Sequence, residues 1–208
     1  MHCFTKRNPE IGYLQGFNFI VDFILTRGFS EEETFWMLVY MIENLLHKQY
    51  YSTFYPIFAN IKFLKCMLYH LNYKIYKFFV DKNFDTFMFL HKWFLMHFMD
   101  VDNKGLISWI LDFLFVEKDI ATIKSILVIF TRNSSEVFKI NKFENLIEYF
   151  NQTISDFDDE VKFKSSFRKF FLSKELFDYA RELLISKEEG ALTTFVYQIY
   201  DFRLLFKS

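Results

Sequence analysis

The residues best suited to chemistry lie close together near the start, in the stretch RNPEIGYLQGFNFIVDFIL spanning 7–25. Two of the chain's five glycines and one of its two prolines fall there, which marks a loop with sharp backbone turns ahead of an apolar helix. Gln15 stands in that loop between Tyr13 and Gly16, with Asn18 just beyond. A carboxamide accepts hydrogen bonds with its oxygen, donates with its nitrogen and carries no charge. Taken alone, such a residue suits a structural hydrogen-bonder at the start of a helix as well as it suits a ligand-facing group. Other reactive residue types offer less. His2, His47, His70, His91 and His97 form no compact metal-ligand spacing, and His91 and His97 read as helix-face or buried hydrogen-bonded histidines. Cys3 and Cys66 make neither a disulfide framework nor a zinc pattern. No Gly-rich phosphate loop and no GxSxG elbow is present. The chain therefore carries no hydrolytic or transfer machinery of its own, and no metal or cofactor is expected.

The elements that must position Gln15 are helices. Phe17, Ile20, Val21 and Ile24 recur at i, i+3, i+4 and i+7, one face of a helix ending near Gly28. Ser30 and Glu33 have the spacing of a capping box, and Phe35, Leu38, Val39, Ile42, Leu45 and Leu46 continue the stripe behind it. Further stripes run through Ile57–Leu71, Phe87–Phe98 and Leu106–Phe115, and then through Ile120–Phe130, where Asp119 stands as the expected cap. NKFENLIEYF, VKFKSSFRKFF and KELFDYARELLI repeat the theme. The expected fold is all-α, an array of roughly nine or ten helices with short connections and no internal repeat. A length of 208 residues suits one domain, and 31 Phe and 12 Tyr supply ample core material. A net charge of −1 gives no general attraction for nucleic acid or anionic lipid, so neither is an expected partner. The polar opening residues lack a secretory core, and no apolar run approaches the roughly 18 residues of a membrane span. A cytoplasmic protein without direct membrane insertion is the expectation.

NPEIGYLQGFNFI resembles the hallmark segment of the TBC family of Rab GTPase-activating proteins, usually Asn-Pro-x-x-Gly-Tyr-x-Gln-Gly-Met-Asn. Asn8, Pro9, Gly12, Tyr13, Gln15, Gly16 and Asn18 match it, and Phe17 replaces the Met. SEEETFWMLVYMIENLLHKQYYS, FLHKWFLMHFMDV and WILDFLFVEK are similar to later family helices in the same order. The likeness runs from Arg7 to about Leu184, and implies a TBC-like domain over 1–185 followed by a tail over 186–208 that can be helical.

The resemblance implies that Gln15 enters a Rab-type GTPase in trans and acts there on GTP, in vesicle trafficking, with recruitment to endomembranes through the Rab. GTP and Mg would belong to the partner. Tyr13, Gly16 and Asn18 would contact that partner or hold the loop, and Gly12, Trp36, Trp93 and Asp112 would serve the structure. Leu111 replaces the Trp of the family's Ile-Trp-Asp motif, and Trp109 stands where Arg often precedes it. The family also carries a catalytic arginine in an Ile-x-x-Asp-x-x-Arg motif upstream of the glutamine. Only twelve residues precede Tyr13 here, and none supplies it. Asp178 and Arg181 form a DxxR pair in the helix resembling the family's closing one, and are read as coincidence. The expectation is a TBC domain whose N-terminal part is missing, with the Phe17–Ile24 and Phe35–Leu46 helices partly uncovered. An activator, a binder that does not accelerate hydrolysis and a plain helical module all stay open.

Overall fold

A computed structural model of the chain describes residues 1–132, 135–170 and 172–186. Every regular element among them is helical, as the apolar periodicity predicts. In order these are α1 (His2–Arg7), α2 (Phe17–Leu25), α3 (Glu31–Tyr40) running into a π-helical turn (Met41–Leu45), and α4 (Tyr55–Leu71). They continue with α5 (Tyr73–Asp81), α6 (Thr86–Met96), α7 (Lys104–Glu117) and α8 (Ile120–Thr131). A 3-10 turn (Ser135–Lys139) leads to α9 (Phe143–Ser155), α10 (Glu160–Lys169) and α11 (Lys174–Ile185). These are eleven α-helices rather than nine or ten, and α1 and α5 are the additions. Of the expected tail, 187–208 lie outside the described residues.

α8 lies at the centre, with every residue from Ile120 to Phe130 buried. Its sequence explains this, since apolar residues lie on every side of the helix and leave no continuous polar face for water. Its polar residues are satisfied internally. Ser125 donates to the Ala121 carbonyl (2.8 Å), and the Lys124 ammonium reaches Glu117 (2.7 Å). α7, α10 and α4 pack around it, and α4 in turn carries α5, α6 and α11. The capping box of α3 forms as expected: Glu33 N–H donates to Ser30 Oγ (3.3 Å) and Ser30 N–H to Glu33 Oε2 (2.8 Å).

Aromatic rings fill the space between α6, α8 and α9. Trp93 is buried, edge-on to Phe89 (5.3 Å) and Phe150 (6.1 Å), and Phe89 stacks on Phe150 at 5.7 Å.

Two local readings need correction. α6 stops at Met96, because His97 (φ +46°) and Phe98 (φ +67°) both take left-handed backbone. Both are still buried, His97 sharing a hydrogen bond between Nδ1 and Thr122 Oγ1 (2.7 Å), and burial lowers the imidazole pKa to about 3. Asp119 precedes α8 but does not cap it, because its carboxylate is drawn instead to Arg181 of α11. Trp36 is 51% exposed, edge-on to Phe35 with Arg7 over its ring. Asp112 is likewise exposed on α7 and has no ion-pair partner among the described residues.

Candidate functional site

The loop from Asn8 to Gly16 joins α1 to α2, and both its ends are held. At the first end, Asn8 N–H closes α1 on the Phe4 carbonyl (2.9 Å), and the Asn8 carbonyl accepts from Ile11 (3.2 Å) and Gly12 (3.0 Å). The Asn8 side-chain amide also donates to Glu43 (3.2 Å), which Arg7 grips with two hydrogen bonds of 2.7 and 3.0 Å. The Arg7 hydrogen bond holds the Glu43 carboxyl below its ordinary range against the opposing effect of burial, and the Asn8 amide adds to it. Glu43 lies in the π-helical turn, so the loop is tied to α3. Nothing in the sequence spacing pointed to Glu43 as this anchor.

At the second end, Gly16 takes φ +113° and starts α2. Its N–H donates to Asn18 Oδ1 (3.2 Å), so the Asn18 side chain fixes the backbone next to Gln15. A Cβ at Gly16 would lie 3.0 Å from Met96 Cγ and 3.1 Å from Sδ, at the end of α6. The close approach expected of this glycine is therefore made within the chain itself. Phe17 locks the following turn, buried edge-on between Phe4 (5.6 Å) and Tyr51 (4.9 Å), while Tyr51 OH donates to the Leu95 carbonyl (2.8 Å). Gly12 also has positive φ (+66°), but open space surrounds the place its Cβ would take.

Between these fixed ends the polar side chains face solvent. Tyr13 is 58% exposed, and Gln15 and Asn18 are exposed as well. Gln15 makes no hydrogen bond to another described residue, so its carboxamide is available to a partner. Trp93 and Asp112 are not part of this constellation. Arg181 is buried against Asp119 and Asp178, which places the late DxxR pair in a structural role. No group of histidines, cysteines or carboxylates that could hold a metal occurs among the described residues. Beside the loop, an open groove of about 600 Å³ runs between α1, α2 and α3, lined by Phe4, Val21, Leu25, Phe35 and Leu38 together with exposed Glu31 and Glu32.

The brace at Gly16 has a measurable consequence. In Gly16→Ala the new methyl group meets both unfavourable backbone and the side chain of Met96, and thermal unfolding should show a loss of about 2 kcal/mol. Gly12→Ala, which meets only the backbone penalty, should lose about 1 kcal/mol. Equal costs at the two positions would show that Met96 yields freely.

The family model described as the Rab-GTPase-TBC domain matches residues 1–138 of this chain. Among curated relatives, TBC1 domain family member 4 of Mus musculus is 22% identical over 192 residues, covering 91% of this chain and 15% of its own length. The Rab GTPase-activating protein eat-17 of Caenorhabditis elegans is 27% identical over 165 residues, covering 77% of this chain and 18% of its own length. The chain thus spans less than a fifth of either relative. The crystal structure of the Chlamydomonas flagellar RabGAP TBC domain superposes with a TM-score of 0.71 at 18% identity, over 81% of this chain and 55% of that one.

Proposed function

Because the chain belongs to the Rab-GTPase-TBC family, we propose that it binds a Rab-type small GTPase and presents Gln15 in trans to the partner's bound GTP. The observation that carries this reading is the loop itself: an exposed, unbonded carboxamide between two braced ends. GTP hydrolysis needs a water aligned with the γ-phosphate while negative charge spreads over the phosphate oxygens. A carboxamide suits that place, accepting from the water through its oxygen and donating to phosphate through its nitrogen, without a charge to repel either. Because the ends of the loop are fixed in the free protein, little ordering is left to occur on binding. Tyr13, exposed two residues before Gln15, gives the partner an aromatic contact beside the inserted amide.

A second reading, a Rab-binding protein that accelerates hydrolysis weakly, is favoured by a specific contact. An arginine delivered to the phosphates is worth roughly 10³ to 10⁵ in rate. Arg7 precedes Gln15 most closely, and its guanidinium is engaged by Glu43. With its guanidinium on Glu43, Arg7 is not free to neutralise charge on the phosphates beside Gln15.

No helix among the described residues is long and apolar enough to cross a membrane. Recruitment to endomembranes would then pass through the Rab. The test is a titration of a Rab panel carrying GDP alone, or GDP with aluminium fluoride as phosphate mimic. Tighter binding in the presence of the mimic is expected for at least one member. Equal and negligible binding across the panel would overturn both readings and leave a helical module.

A further inference from the structure

A separate pocket of about 300 Å³ opens where α4, α5 and the start of α6 meet. Leu68, Phe79 and Phe84 give it an apolar lining, and Lys65, Asn83 and Thr86 add three polar side chains. Thr86 is only 3% exposed, yet its hydroxyl has no hydrogen-bond partner. A buried hydroxyl in that state is unfavourable, and an incoming acceptor would relieve it. Among the described residues, Lys65 has no carboxylate partner and the Asn83 carboxamide makes no hydrogen bond. Nearby cations are committed elsewhere, Lys77 to Asp81 and Lys82 to Asn141.

The end of α5 fixes the backbone that carries Asn83 and leads to Thr86, while Lys65 reaches the pocket from the exposed face of α4. Phe84 N–H donates to the Phe79 carbonyl (3.0 Å) and Asn83 N–H to the Val80 carbonyl (3.0 Å), the paired bonds of a Schellman turn with Asn83 in left-handed backbone (φ +51°). Phe84 packs on Phe78 at 5.6 Å, closing the hydrophobic contact that accompanies such a turn. Thr86 then follows as the first residue of α6, and Asp85 caps that helix by accepting from Phe87 N–H (2.9 Å). An apolar cavity with a few convergent, pre-positioned polar groups is the general form of a small-molecule site.

We propose that this pocket binds a small monocarboxylate with an apolar body. Its carboxylate would meet the Lys65 ammonium, the Thr86 hydroxyl and the Asn83 amide, and its body would lie on Leu68, Phe79 and Phe84. A single negative charge fits best. A cation would face Lys65, and a dianion would have a single lining ammonium to balance it. The volume holds roughly ten water-sized groups, which matches an eight-carbon acid.

Calorimetric titration of the 208-residue chain with sodium octanoate, octanol and inorganic phosphate tests this. Octanoate should saturate one site, octanol should bind about ten-fold more weakly, the size of one charge-assisted hydrogen bond, and phosphate should neither bind nor compete. Lys65→Met should weaken octanoate about ten-fold and leave octanol unchanged. Thr86→Val should weaken octanoate without lowering thermal stability, since it removes an unpaired hydroxyl and keeps the side-chain shape. Equal binding of octanoate and octanol, non-saturating uptake, competition by phosphate, or indifference of octanoate to both substitutions would each overturn the proposal.

Discussion

Gln15→Ala should erase about two orders of magnitude of the preference for a Rab carrying GDP and a phosphate mimic over the same Rab with GDP alone. That is the usual size of deleting one hydrogen-bonding group that acts only in the transition state. Binding to the GDP form should barely change, because the amide has nothing to align there. Folding stability should stay within about 0.5 kcal/mol, since the side chain is exposed and bonds to no other described residue. Gln15→Glu is the sharper companion: it keeps the size of the side chain and adds a charge that the phosphates repel, so it should lose as much as Ala. Tyr13→Ala should behave differently, weakening both nucleotide states alike, because an aromatic contact beside the loop does not distinguish them. The readout is the ratio of the two dissociation constants for each variant. A ratio unchanged in Gln15→Ala would remove Gln15 from its proposed role, even if the GTPase still bound.

Much of this loop was legible in the sequence because its signals are local. Gly16 needs positive φ, and Asn18 reaches a backbone group two residues away, so type and spacing point directly at the geometry. The capping box of α3 was readable for the same reason. What was hidden depends on residues far apart. Glu43 anchors a loop that begins 35 residues before it, and Met96 limits Gly16 from across the fold. The end of α6 was misread because His97 and Phe98 are buried like the helix before them, and burial periodicity does not separate a helix from a left-handed turn that enters the same core. α5 escaped because its stripe is short: only Ile75, Phe78 and Phe79 are buried, at i, i+3 and i+4.

Asp119 is the clearest case of a local signal overruled from a distance, and it sets the largest expected change in stability. A carboxylate just before an apolar helix has the look of a cap. Here Arg181, 62 residues later, places its guanidinium against that carboxylate while also bonding Asp178 at 2.6 Å. On balance the Asp119 carboxyl is raised to about 6: burial pushes it up, the Arg181 charge pulls it down, and Asp178 pushes it up. Two carboxylates thus share one buried cation. Arg181→Met strips that cation away and leaves Asp119 buried and uncompensated, so a loss of about 3–5 kcal/mol at pH 7 is expected. α11 should loosen first, since it carries Arg181; a further tie runs from Glu182 to His47 (2.9 Å). The sign with pH follows from linkage. A carboxyl whose folded pKa lies above the ordinary 3.8 holds its proton more tightly when folded, so its contribution is present at low pH and lost as pH rises through about 6. Acidification from pH 7 towards 4 should therefore restore part of the stability of Arg181→Met, whose Asp119 no longer feels a cation and protonates at still higher pH. Asp119→Asn should cost less than Arg181→Met, because the amide oxygen still accepts from the guanidinium and Asp178 still balances its charge. It should also flatten the stability profile between pH 4 and 6, because the titrating group is gone. Chemical denaturation of the three proteins at pH 7, 6, 5 and 4 separates these outcomes. Arg181→Met losing less than about 1 kcal/mol, with no gain on acidification, would mean that this buried cluster carries little of the fold.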